Sequence, residues 1–176
     1  MPRRKLIRTN EFPYHITSRS NNKEWFYIPA QDVWKYSNDL LCQGQQRFGI
    51  KVEAFVLMSN HYHLCLYTPK SNIDNFMQFF NKRLGERISR QAGRINRIFG
   101  APYKWNLITD QRYYLNVIRY IYQNPLREGL CTRVELYPYS DLKFQSKHTN
   151  KLEWLNLRIG DREVIKTRKR LRKFIV

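Results

Sequence analysis

The stretch from Ile50 to Tyr67 constrains this chain most. Two apolar, β-type runs, Ile50 to Met58 and His61 to Tyr67, are separated only by Ser59-Asn60, a spacing that favours an antiparallel hairpin. Alternation along the second run sends His61 and His63 to one face and Tyr62 to the other, so two imidazoles converge on one side of a sheet. Converging imidazoles suggest a metal. Farther along the chain, Tyr120 and Asn124 sit four residues apart in a helical pattern and share a face, so an amide oxygen could join the same ion while a phenol stands beside it.

The rest of the chain supplies elements to pack on that hairpin. Tyr14 to Arg19 reads as a strand, with Tyr14, Ile16 and Ser18 alternating against His15, Thr17 and Arg19, and Asn21-Asn22-Lys23 breaks it. Apolar residues at Val33, Trp34, Leu40 and Leu41 predict a helix from Ala30 to about Arg47. Ile73, Met77, Phe80, Leu84 and Ile88 mark a long second helix, with Arg83, Arg87, Arg90, Arg94 and Arg97 running beside them at the same period. Tyr103 to Ile108 predicts a short strand. Thr109 or Asp110 could cap a third helix from about Gln111 to Gln123, closed by Asn124-Pro125 because the residue before proline disfavours α geometry. The order β-α-β-β-α-β-α places the chain in the α+β class as a ferredoxin-like antiparallel sheet with helices packed on it, the last helix being an addition. Residues 1–141 are expected to form one domain and 142–176 a basic C-terminal extension, in which Arg162 to Lys173 carries seven basic residues and Glu163 as its only acid. Leu152, Leu155 and Ile159 hint at a short helix there.

Charge narrows the partner. The 176 residues hold 32 Lys and Arg against 14 Asp and Glu, a net +18 with a pI near 10.1, which points to a polyanion, nucleic acid before membrane. No stretch approaches the roughly 20 apolar residues that span a bilayer, and no apolar signal core follows Met1-Pro2-Arg3-Arg4-Lys5, so an intracellular, cytoplasmic and nucleoid-associated protein is expected, with no membrane partner. Cys42, Cys65 and Cys131 lack the pairing of a disulfide framework or zinc cluster.

A cation held by His61, His63 and one neutral amide keeps its full charge, which suits phosphate oxygens and stabilises the charge that builds during in-line attack. Tyr120 is the expected nucleophile, although no residue in the sequence declares itself as the base for its phenol. Tyr113, Tyr114 and Tyr122 read as packing residues, Tyr122 pointing about 160° away from Tyr120 around a helix. Asn124 could equally be a helix cap. His15 reads as a strand histidine hydrogen-bonded in place, with a role in cradling DNA or the metal shell as the other option.

Three blocks of sequence together resemble a known family. They are Tyr14-His15-Ile16-Thr17-Ser18-Arg19-Ser20-Asn21-Asn22, Phe55-Val56-Leu57-Met58-Ser59-Asn60-His61-Tyr62-His63-Leu64, and Arg119-Tyr120-Ile121-Tyr122-Gln123-Asn124-Pro125-Leu126-Arg127-Glu128-Gly129-Leu130. The chain resembles the single-tyrosine HUH transposases of small insertion elements, and more closely the REP-associated tyrosine transposases. The resemblance implies a single-strand DNA endonuclease and strand transferase that uses a divalent metal, magnesium or manganese, and a covalent 5′-phosphotyrosine. In that pattern His61 and His63 match the paired metal ligands, Asn124 the polar ligand and Tyr120 the nucleophile. The implied partner is single-stranded or hairpin DNA, often a palindromic repeat, with the protein a monomer or a homodimer. Arg83, Arg87, Arg90, Arg94 and Arg97, with Arg3 and Arg4, are the expected phosphate contacts, and Trp25, Phe26, Tyr103 and Trp105 the expected stacking platforms.

Rival functions use the same residues. A catalytically silent nucleic-acid-binding regulator would bind hairpins without forming an adduct. A metal-dependent nuclease using water would cut without Tyr120, and a ribonuclease on a similar sheet would ignore DNA.

Overall fold

A computed structural model describes residues 5–142. Arg3, Arg4 and nearly all of the expected extension, including its basic run and possible helix, lie outside the described residues. The elements, in order, are β1 (Tyr14–Arg19), α1 (Ala30–Phe48), β2 (Lys51–Leu57), β3 (His61–Tyr67), α2 (Ile73–Ala92), β4 (Lys104–Leu107) and α3 (Gln111–Arg127), with 3₁₀ turns at Asn21–Lys23 and Val134–Leu136. The four strands form one antiparallel sheet in the order β2-β3-β1-β4, the ferredoxin-like arrangement predicted from the sequence.

Parity along the strands divides the molecule into two layers. Tyr14, Ile16, Phe55, Leu57, Tyr62, Leu64 and Leu66 point to the face covered by α1 and α2, where they meet Val33, Leu40, Phe76, Phe80 and Leu84. Ala54, Val56 and Cys65 point the other way, onto Val117, Ile118, Ile121 and Tyr122 of α3. With helices on both faces, β3 reads as an almost unbroken buried run rather than a half-exposed one. The Tyr62 hydroxyl is deep in the first layer and donates to Asn81 Oδ1 of α2 at 2.6 Å, which satisfies a polar atom that burial would otherwise leave costly. A bulge at Glu53, between Val52 and Ala54, swaps the parity of β2 and turns Glu53 toward Tyr114, whose hydroxyl donates to it at 2.8 Å.

Two helix ends differ from expectation. The third helix does not close at Asn124-Pro125 but runs to Arg127, because Pro125 falls in its last turn and the Asn124 side-chain amide covers the carbonyls of Tyr120 (2.7 Å) and Ile121 (3.5 Å). Its actual stop is Gly129, at φ 69°, where the Gly129 and Leu130 amides donate back to Leu126 (3.2 Å) and Pro125 (2.8 Å) in a Schellman closure. The start is as expected, with Asp110 accepting from the Tyr113 amide at 2.8 Å. The second helix ends at Ala92, with Gly93 at φ 63°, so Arg94 and Arg97 fall in the following loop and the five arginines do not form one helical stripe.

The contact of α1 with α2 is close at Gly44, where an added Cβ would run into the Phe76 ring. Gly44→Ala should therefore lower stability by about 1–3 kcal/mol, although alanine is the better helix former by roughly 1 kcal/mol. Thermal denaturation checks the sign; a higher melting temperature would mean the two helices are not packed this tightly.

Candidate functional site

The histidines project from β1 and β3 toward α3. Their strands are adjacent, with Thr17 opposite His63 and Arg19 opposite His61, so His15, Thr17, Arg19, His61 and His63 share one face. On α3 and its C-cap, Tyr113, Asn116, Val117, Tyr120, Asn124, Arg127 and Glu128 fall on one helical face, and this stripe closes an open pocket over the histidines. The Tyr120 ring packs edge-on against His63, centroids 5.4 Å apart, and against His15 at 5.8 Å. Tyr120 is 36% exposed and the Arg127 guanidinium lies 5.3 Å from its ring. The sheet histidines, the tyrosine and the asparagine chosen from the sequence thus meet in one place.

Hydrogen bonding defines what each group can offer. His61 Nδ1 lies 2.7 Å from Asn60 Oδ1, and since an amide oxygen only accepts, Nδ1 carries the proton and Nε2 is bare. His63 Nδ1 lies 3.0 Å from His15 Nε2 and 3.4 Å from Thr17 Oγ1; a His63 that ligates through Nε2 carries its proton on Nδ1, with the His15 nitrogen as the nearer acceptor. This is the hydrogen-bonded strand histidine expected at position 15, and it makes His15 the orienting partner of His63. Asn124 spends its NH₂ group on backbone carbonyls, which only accept, so its oxygen is the end left for a ligand.

Burial keeps all three imidazoles neutral. It pushes His15 down to about 4. Burial with the nearby Arg19 charge brings His61 to about 4. Burial, assisted by His15, His61 and Arg19, takes His63 to about 2. Neutral rings near pH 7 are what metal ligation requires. Among the described residues no three His, Cys, Asp or Glu side chains are grouped to hold a metal ion, so the candidate set depends on the Asn124 oxygen beside the two imidazoles. Two nitrogen donors and one amide oxygen fit a divalent cation that keeps open positions for phosphate.

Tyr122 has no access to this pocket. It is buried on the other side of α3, its hydroxyl donates to Asp141 Oδ1 at 2.9 Å, and burial together with that carboxylate pushes its pKa up.

The predicted phosphate contacts are placed differently. Arg83, Arg87 and Arg90 belong to α2, which covers the sheet face opposite the histidines. Arg83 pairs with Glu86 at 3.3 Å, Arg87 with Asp39 at 2.5 Å, and the Arg94 guanidinium sits 3.6 Å from the Tyr27 ring centre. None of the five, Arg97 included, lines the pocket. The cations that do are Arg19, Lys104 and Arg127, which the sequence reading did not select. Arg19 was legible, since it shares the strand parity of His15 and Thr17; Lys104 depends on the pairing of Thr17 with Lys104, which no local pattern encodes. Of the expected stacking residues, Phe26 is buried and Trp105 packs edge-on against Tyr14, whereas Trp25 is 77% exposed. Glu128 is a carboxylate in the pocket wall that the sequence reading also passed over.

The comparisons agree with this architecture. A family model described as IS200-like transposase matches residues 9–124. The chain belongs to the IS200-like transposase family, and so to an enzyme family of the transposase kind. Among solved structures it is similar to a REP-associated tyrosine transposase bound to a REP hairpin, with a TM-score of 0.73 and 14% identity over 91% of this chain and 93% of that one. A second similar structure is a putative transposase from Deinococcus radiodurans, with a TM-score of 0.47 and 16% identity over 68% of this chain and 95% of that one. The search of curated proteins found no match. Among the described residues, no helix is long and apolar enough to cross a membrane.

Tyr122→Phe should cost about 1 kcal/mol of stability, since it removes one donor from the half-buried Asp141, which keeps the Phe55 amide at 2.9 Å, while His63 and Tyr120 keep their ring contact. Denaturant unfolding with tyrosine and histidine ring shifts as the local probe checks both halves; a perturbed Tyr120 signal with unchanged stability would contradict the placement.

Proposed function

We propose that this chain is a divalent-metal-dependent, single-strand DNA endonuclease and strand transferase, acting on hairpin DNA through a covalent 5′-phosphotyrosine at Tyr120. The observation that carries it is the meeting of Tyr120, from a helix late in the chain, with His61, His63 and Asn124 in one pocket edged by cations. Family membership supports the reaction class, and the hairpin bound by the similar solved structure supports the substrate class.

His61 Nε2, His63 Nε2 and Asn124 Oδ1 would hold the cation, magnesium or manganese. When bound it supplies Lewis-acid polarisation of the scissile phosphate. Arg19, Lys104 and Arg127 hold the backbone phosphates alongside. Tyr120 Oη forms a bond to phosphorus as the bond from phosphorus to the 3′ oxygen breaks, and the 3′ oxygen takes a proton from water and leaves as a hydroxyl. The phenolic proton passes to water in the open pocket. The new linkage keeps the energy of a phosphodiester, so attack by another 3′ hydroxyl reverses the step, returns the proton to Tyr120 and joins strands without ATP. A water nucleophile would discard that linkage.

Incubation of the full chain with magnesium or manganese and hairpins bearing single-stranded flanks should give a denaturant-resistant protein–DNA adduct. Chelation or Tyr120→Phe should abolish it. Cleavage that survives Tyr120→Phe would replace this reading with a water-using nuclease, and binding without cleavage would replace it with a silent regulator. Replacing both Arg19 and Lys104 with alanine should flatten the dependence of log affinity on log salt by about 0.7 per cation for a single strand. An unchanged slope would place the strand elsewhere.

A further inference from the structure

Asn60 stands between β3 and the loop that follows β1, and its backbone carbonyl and both ends of its side-chain amide are used on that junction. Its backbone carbonyl accepts from the Ser20 amide at 2.8 Å. Its Nδ2 donates to the Lys23 carbonyl at 2.6 Å, and its Oδ1 accepts from His61 Nδ1 at 2.7 Å. These contacts have only one possible direction. The Lys23 carbonyl cannot donate, so the amide nitrogen faces the loop; the oxygen that then faces His61 cannot donate either, so the imidazole must.

The loop end of this link is unusual in its own right. Asn22 and Lys23 both adopt left-handed backbone conformations, at φ 54° and 59°, which few residues other than glycine take up. The turn is held by the Asn21 amide on the Ile98 carbonyl at 2.7 Å and the Phe26 amide on the Ser59 carbonyl at 3.0 Å. Ser20 to Lys23 also wall a concavity that shares Thr17, Arg19 and Lys104 with the histidine pocket. The loop to which Asn60 bonds is therefore continuous with the surface around the site.

We propose that Asn60 is a positioning residue for His61, fixing it as the Nδ1–H tautomer and suspending the ring from the Lys23 carbonyl, so that loop conformation and imidazole orientation are set together. Its consequence for metal affinity rests on the reading of His61 as a ligand; the tautomer does not. Partners that orient a ligating histidine are worth about 10–100-fold in metal affinity.

Long-range proton–nitrogen NMR of the metal-free full chain, labelled at histidine nitrogens and held near pH 7, reads the tautomer directly. Wild-type His61 is expected with Nδ1 protonated and Nε2 bare. Asn60→Ala should shift it toward Nε2–H and weaken binding of Mn²⁺ alone, followed by electron paramagnetic resonance, by about 10–100-fold. Asn60→Asp keeps an acceptor for His61 but no donor for Lys23, so it should hold Nδ1 protonated while loosening the 20–24 amides. Wild-type His61 found as Nε2–H would overturn the proposal without any variant, as would an Asn60→Ala protein with the same tautomer and the same Mn²⁺ affinity. A wild-type chain that binds no Mn²⁺, yet whose His61 tautomer follows Asn60, would end the metal reading of the pocket and leave the positioning role standing.

Discussion

Everything at the site depends on the placement of β3 inside a sheet covered on both faces. Strand alternation fixes His61 and His63 to one face, and the added helix α3 is what turns that face from open surface into a pocket. Tyr62, between them, is committed to the opposite layer by its burial and its bond to Asn81. A one-residue slip of β3 would exchange the two sets and put a phenol where the imidazoles stand, so the large apolar contacts of the α1/α2 layer hold the register of the polar ones across the sheet.

Directional hydrogen bonding then converts a cluster of side chains into defined donors. The carbonyls of Tyr120 and Ile121 orient the Asn124 amide, and the Asn60 oxygen orients His61. Burial removes the charge from the rings, and Arg19, near enough to lower His61 further, contributes to the positive surroundings that a phosphodiester would enter. The pocket thus combines neutral imidazoles and an amide with cations at its margin, a division of labour suited to the proposed metal and backbone. Mixed charge on the outer face of α2 is a different matter, because Arg83 and Arg87 already have carboxylate partners there.

The strands and the starts of the helices were legible from residue pattern because each is a local property: alternation from Tyr14 to Arg19, the Asp110 cap, the apolar spacing from Ile73 to Ile88. The facing of His61 and His63 followed from the same alternation. What the pattern misread was compensation. Asn124-Pro125 signals a stop, but an asparagine amide that covers the exposed carbonyls lets the helix continue to the glycine that actually ends it. The arginine period continued past Gly93, where the chain had left the helix. Lys104 and the two contacts of Asn60 depend on strand register and on a left-handed turn, and pairings between distant segments leave no local trace.

The proposed cation site joins one strand, β3, to α3. Crystals of the chain soaked in manganese, with anomalous scattering collected at the manganese edge, test it most directly. A peak bounded by the ring nitrogens of His61 and His63 and the amide oxygen of Asn124, in the pocket that Tyr120 lines, is the expected result. A well-ordered pocket with no peak, or manganese bound only at the surface carboxylates, would contradict it.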